Sequence, residues 1–197
     1  MTGLNTAAIY ILQTLGSLYL LIVLLRFVLQ LVRADFYNPL SQFIVSATQP
    51  LLKPLRKVIP SIAGLDSASL VLAILIQLLV MALTLILMGY GVGGFMLQLL
   101  VWAVIGVTSL FIKVFYFALI GSVILSWVAQ GSHNPAAILI NQICEPLLAP
   151  FRKILPNMGG LDLSPIFAFI SLNLVDMLVI GNLAVMSGLP QQLSPFL

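Results

Sequence analysis

NPLSQFIVSATQPLLKPLRKVIPSIAGLD, residues Asn38 to Asp66, returns 96 residues later as NPAAILINQICEPLLAPFRKILPNMGGLD, residues Asn134 to Asp162. Paired without a gap, 13 of the 29 positions are identical, and the identities are not apolar filler. They include Asn38-Pro39, Pro50, Pro54, Arg56-Lys57, Pro60, Gly64 and Asp66 in the first copy. In the second they are Asn134-Pro135, Pro146, Pro150, Arg152-Lys153, Pro156, Gly160 and Asp162. A polar motif duplicated between hydrophobic stretches is the mark of a membrane protein built from two copies of one unit.

Composition supports that reading. The chain is 61% hydrophobic and 7% charged, with a mean hydropathy of +1.20, so it has too few charges to cover a water-soluble domain of 197 residues. Four apolar runs, roughly Ala7–Leu31, Ala68–Met88, Trp102–Val128 and Pro165–Met186, each reach the ~20 helical residues that cross a bilayer core. None alternates apolar and polar residues as a barrel strand does, so the spans read as helices. The N-terminus lacks a basic region and its apolar run is too long for a signal peptide, so the first span is expected to be retained. A single cysteine forms no intramolecular disulfide and no zinc site by itself.

Charge position gives the expected orientation. Arg33, Lys53, Arg56 and Lys57 lie between the first two spans, and Arg152 and Lys153 between the last two. The N-terminal segment, the Gly89–Phe95 connection and the tail after Ser187 carry no Lys or Arg. The positive-inside rule puts both motif loops in the cytoplasm and both termini in the periplasm, with the protein in the bacterial inner membrane. With no basic domain outside the spans, the basic loops are expected to meet anionic lipid heads and not nucleic acid.

The expected fold is therefore all-α and integral to the membrane: four transmembrane helices as two parallel two-helix repeats, residues 1–93 and 94–197. A pseudo-two-fold along the membrane normal relates such copies. Each motif loop is expected to be an amphipathic, proline-interrupted helix lying in the interface. Asn38 and Asn134 suit N-caps, and Pro39 and Pro135 suit the first turn. Leu40, Phe43, Ile44, Ala47 and Leu51 then form an i, i+3, i+4 stripe, until Pro50 and Pro54 break or kink the helix. Asp66 or Ser67, and Asp162 or Ser164, can cap the spans that follow, so the duplicated Asp reads as a cap ahead of a functional carboxylate.

The motif, NP-x(10)-PLL-x-P-x-RK-x-x-P followed by GLD and present twice, resembles that of the YggT family, called YlmG in other bacteria and in plastids. The resemblance covers the whole chain. It implies an inner-membrane or thylakoid protein without enzymatic activity. Family links to osmotic tolerance and potassium uptake, to cell division and envelope organisation, and to haem attachment in plastids imply a membrane role without fixing one task. It carries over no functional residues.

The polar residues inside the spans are the remaining candidates. Lys113 and Asp176 each lie about 11 residues into their antiparallel spans, a depth of roughly 16 Å at 1.5 Å per residue, near the midplane. A charge there needs a partner, so the two are expected to form a buried ion pair; snorkelling of Lys113 and an ion pathway are the alternatives. Arg26 is expected to snorkel to the interface. Its counterpart Ser122, with Ala118 and Ser126, gives a small-residue stripe that lets helices approach. Gln77 and Asn173 occupy equivalent positions and are expected to hydrogen-bond across the bundle as packing glue. His133 and Cys144 match Tyr37 and Thr48, so neither belongs to the shared motif, and no catalytic triad, metal-binding helix motif or phosphate loop occurs. No cofactor is expected.

The reading that follows is a non-catalytic organising or assembly factor at the cytoplasmic membrane face, with a membrane-protein partner or a homo-oligomer. A small ion channel or transporter is the alternative. A reporter fused after Leu197 tests the orientation: it is expected to be active only if of the type that needs the periplasm, and activity of a cytoplasmic-type reporter overturns the topology.

Overall fold

The computed structural model describes residues 3–62, 64–128, 134–154, 162–193 and 196. Within them the chain is helical and contains no β-strand. The first repeat consists of α1 (Gly3–Leu31), α2 (Pro39–Val58) and α3 (Ser67–Leu87). The second consists of α4 (Met96–Val128), α5 (Pro135–Ile154) and a last span in three parts. Those parts are α6 (Ser164–Val175), a π-helical turn (Asp176–Gly181) and α7 (Asn182–Met186). Four helices are long and apolar enough to cross a membrane, namely Gly3–Leu31, Ser67–Leu87, Gly93–Trp127 and Ser164–Met186. This is a multi-pass membrane protein, and the repeats run in the same direction.

The spans pack as neighbours in chain order. α1 lies antiparallel to α3, α4 settles into the groove between them, and α6 packs on the far side of α4. Leu20, Leu24 and Val28 of α1, Leu72 of α3 and Leu110 and Leu119 of α4 form the shared core, with Leu52 of α2 and Ile143 and Leu148 of α5 closing one end. That end is the motif face. The C-terminal segment returns to the other end, where Gln13 donates to the carbonyl of Gln192 at 2.6 Å. α4 begins six residues before the expected Trp102, because a 3-10 turn at Gly93–Phe95 leads straight into it.

The motif helices depart from expectation in one respect. Pro50 and Pro54 lie inside an unbroken α2, and Pro146 and Pro150 inside an unbroken α5. Each proline frees the carbonyl four residues earlier. In α2 these are Ser46 and Pro50, which share the exposed face with Pro54, so the freed oxygens point away from the core and need no protein donor. The two copies therefore keep a helix where the sequence suggested interruptions. Pro156 and Gly160 of the second motif, and His133, lie outside the described residues.

Gly16 sets the approach of α1 to α3. A Cβ there would stand 2.4 Å from Cγ2 of Val80, inside any tolerable contact. Gly16→Ala is expected to destabilise the bundle by about 1–3 kcal/mol through overpacking. Val80→Ala in the same chain is expected to recover most of that loss. Thermal unfolding in detergent micelles measures both, and an unaffected Gly16→Ala contradicts the close approach.

Candidate functional site

The motif residues assemble two related polar clusters at one end of the bundle. In the first, Asp66 caps α3, its side chain accepting from the Ser69 amide at 3.3 Å and from the Ser69 hydroxyl at 2.5 Å. The same carboxylate accepts from Arg56 at 2.5 Å and faces Nε of Arg26 at 3.9 Å. Asp66 is 4% exposed. Burial by itself raises its pKa, but the hydrogen bonds from Arg56 and Ser69 and the charge of Arg56 outweigh it, so the carboxyl sits below its ordinary value. The cap expected from sequence is thus also the centre of a buried charge cluster.

Arg26 does not snorkel. It is buried, with Nη1 donating to the Val45 carbonyl at 2.9 Å and to the Thr48 hydroxyl at 2.7 Å, and Nη2 to Gln49 at 3.3 Å. α2 lies over the end of α1 and supplies the acceptors that water would otherwise provide, so the guanidinium turns inward. Tyr19 donates to the Ala47 carbonyl at 3.4 Å, and Gln30 to the carbonyl of Gly64, the motif glycine that turns the chain at φ +80°. α1, the middle of α2 and the start of α3 are held as one unit.

The second cluster keeps the acid–arginine pair with different charges and, against expectation, a different cap: Leu163, not Asp162, is the N-cap of α6, and it makes no side-chain cap hydrogen bond. Asp162 accepts from the Ser164 amide at 2.9 Å and from Arg152 at 2.9 Å, and Arg152 also donates to Glu145 at 2.7 Å. Ser122 replaces Arg26 and bonds Asn141 of α5 at 3.0 Å, so each repeat ties its first span to its motif helix through this position. Lacking an inward guanidinium, the second cluster opens: Asp162 is 45% and Arg152 43% exposed. Cys144, the counterpart of Thr48, is buried, and burial pushes its thiol up to about 11. It is a packing residue and stays protonated at neutral pH.

The two motif helices meet at their N-termini. Asn38 accepts from the Leu40 amide at 2.9 Å as the cap of α2 while its amide donates to the Pro135 carbonyl at 2.7 Å. Asn134 caps α5 in the same way, accepting from Ala136 at 2.9 Å. Gln142 accepts from the Asp35 amide at 3.0 Å. Pro39 and Pro135 occupy the first helical turns. Lys57 and Lys153 point outward beside their arginines.

The intramembrane candidates are arranged differently from expectation. Lys113 and Asp176 line one cavity of about 440 Å³ between α4 and α6 but form no ion pair. The Lys113 ammonium donates instead to the Phe196 carbonyl, which also accepts from Ser109 at 2.8 Å. The returning C-terminal segment therefore takes the donor that Asp176 was expected to accept, and one carboxylate oxygen of Asp176 has no partner. Gln77 and Asn173 do not reach each other. Gln77 is buried on α3 with its amide nitrogen unpaired. Asn173 is exposed and donates to the Phe169 carbonyl of its own helix at 3.0 Å. Among the described residues no cluster of His, Cys, Asp and Glu could hold a metal ion.

Fold and site together define a four-span membrane protein of two parallel repeats, each with a proline-bearing helix laid across one face. The CCB3/YggT family model matches residues 5–87 and 101–183, segments offset by the same 96 residues as the motif. The chain belongs to that family. An uncharacterised protein of Pseudomonas aeruginosa PAO1 is 78% identical over 197 residues, covering 100% of both chains. YggT of Escherichia coli K12 is 36% identical over 168 residues, 85% of this chain and 86% of its own. The chloroplastic YlmG homolog protein 2 of Arabidopsis thaliana is 38% identical over 65 residues, 32% of this chain and 25% of its own. No solved structure matches.

The unequal burial of the two clusters gives a direct test. Asp66→Asn leaves two guanidiniums facing each other and is expected to cost about 3–5 kcal/mol. Asp162→Asn, at an exposed pair, is expected to cost under about 1 kcal/mol. Because the Asp66 pKa lies below 3.8, its contribution is complete above that value and is lost as pH falls through the lower folded value. Unfolding followed from pH 7 to pH 2 should show an acid loss that Asp66→Asn removes, and equal costs for the two substitutions contradict the assignment.

Proposed function

We propose that the chain is a non-enzymatic organising factor of the bacterial inner membrane, holding partner membrane proteins at the cytoplasmic face, with both termini periplasmic. The observation that carries this reading is the joining of α2 to α5 through Asn38–Pro135 and Asp35–Gln142. Tied to each other and, through Arg26 and Ser122, to their spans, the two helices make one stiff platform across the membrane face. Its outer side combines exposed apolar residues, Phe43, Leu51 and Val58, with Lys53, Arg56 and Lys57. That mixture suits anionic headgroups and the membrane-embedded flank of another protein.

A small ion channel is the second reading, favoured by the Lys113 and Asp176 side chains in one cavity. That cavity lies between two helices at the flank of the bundle, whose centre is filled by the shared apolar core. The platform is therefore preferred.

Thiol labelling tests the platform's placement. Cysteines at Phe43 and Leu51 are expected to resist a membrane-impermeant maleimide in inside-out vesicles, while cysteines at Ser46 and Lys53 react. Ser41, polar but fully buried against the bundle, is expected to resist as well. Equal labelling of all five indicates a solvated loop. A photo-crosslinker at Leu51 in native membranes then tests the organising role: recurrent capture of defined membrane proteins supports it. Lipid adducts alone, together with potassium flux in proteoliposomes, favour the channel.

A further inference from the structure

The two repeats are not equally covered. α4 fills the groove between α1 and α3, yet no helix fills the equivalent groove between α4 and α6, and α1 and α6 form no comparable packing. Ile74, Leu78 and Met81 of α3 pack on the α4 side, in the cluster with Leu99, Trp102 and Ala103. Ninety-six residues on, the same three residue types recur as Ile170, Leu174 and Met177, and all three are exposed. The stripe is kept in the second copy although, among the described residues, no helix covers it and only Phe196 of the C-terminal segment lines the same groove.

The complementary surface is vacant too. Leu99, Ala103, Gly106 and Leu110 form the buried stripe of α4, and their equivalents on α1 are Gly3, Ala7, Tyr10 and Thr14, all exposed. These vacant surfaces are not purely apolar, as a face given only to lipid would be. Asn173 lies exposed at mid-span beside Ile170 and Leu174, and Asp176, one of whose carboxylate oxygens is buried without a partner, lines the same groove. Polar groups at that depth need donors, and α1 offers the hydroxyl of Tyr10.

We propose that the groove between α4 and α6 takes α1 of a second copy of this chain, repeating between molecules the contact that α4 makes with α1 and α3 within one. The interface is heterologous, α6 of one copy against α1 of the next. It places Tyr10 over Asn173 and Asp176.

Paired cysteines test this in native membranes, in a Cys144→Ala background free of other thiols. Ala7 is the equivalent of Ala103, and Met177 of Met81, so Ala7→Cys with Met177→Cys is expected to give an oxidised dimer severalfold stronger than Leu15→Cys with Met177→Cys, Leu15 being exposed off that stripe. Co-expressed single variants should yield the same dimer only when both are present. In the crosslinkable pair, Asp176→Leu should reduce the dimer severalfold while unfolding of the monomer in micelles stays unchanged. A dimer from Met177→Cys alone means a symmetric α6–α6 contact and overturns the proposal. It is equally overturned by dimers no stronger than the control, or by crosslinks only to other proteins.

Discussion

A single buried carboxylate holds the first half of this protein together. Asp66 stands between two guanidiniums with almost no access to solvent, and its neighbour Arg26 is the reason the motif helix lies where it does. A charge near the end of a span has two outlets, water or protein, and here α2 provides the second with a carbonyl, a hydroxyl and an amide oxygen from three nearby residues. Moving α2 away strands the guanidinium, and moving α3 away strands the carboxylate. The orientation of three helices is thus fixed by polar demand, since apolar packing between helices gains little over packing against lipid tails.

Duplication kept the scaffold and changed the charge. Two of the substitutions between the clusters change charge: Arg26 becomes Ser122 and Gln49 becomes Glu145. The first cluster holds two arginines around one acid, and the second two acids around one arginine. One motif face therefore carries opposite local surpluses on otherwise matching frames. The membrane interior diverges in the same way, with Gly16 and Val80 in tight contact in one copy and Ile112 and Asp176 beside a cavity in the other. A repeat relieved of one packing duty has room to acquire polar side chains.

Much of the fold was legible in the sequence because membrane spans announce themselves by length and because a polar repeat stands out from apolar surroundings. The four helices and the capping roles of Asn38 and Asp66 follow from local chemistry alone. What remained hidden depends on contacts between distant segments. Nothing in the residues around Arg26 indicates that α2 would meet it with three acceptors, and nothing near Lys113 indicates that the C-terminal segment would reach it. The continuity of α2 through Pro50 and Pro54 was likewise missed: proline's cost depends on which face the freed carbonyl occupies, and that is set by burial. The shared 96-residue offset held the remaining signal, since residues Ile74, Leu78 and Met81 gain meaning only beside their copies.

The prolines of α2 and α5 carry a consequence for how the protein sits in its bilayer. The carbonyls of Ser46 and Pro50 lose their i+4 helical donors to Pro50 and Pro54 on the exposed face, so they favour hydration and resist sinking of these helices into hydrocarbon. Each motif helix is a float with a fixed waterline. Anchored through Arg26 and Asp66, it holds the spans at one height relative to that side of the membrane. Any difference in bilayer thickness must then be absorbed at the opposite end, where the chain is least regular: the 3-10 turn before α4 and the segment that folds back along Gln13.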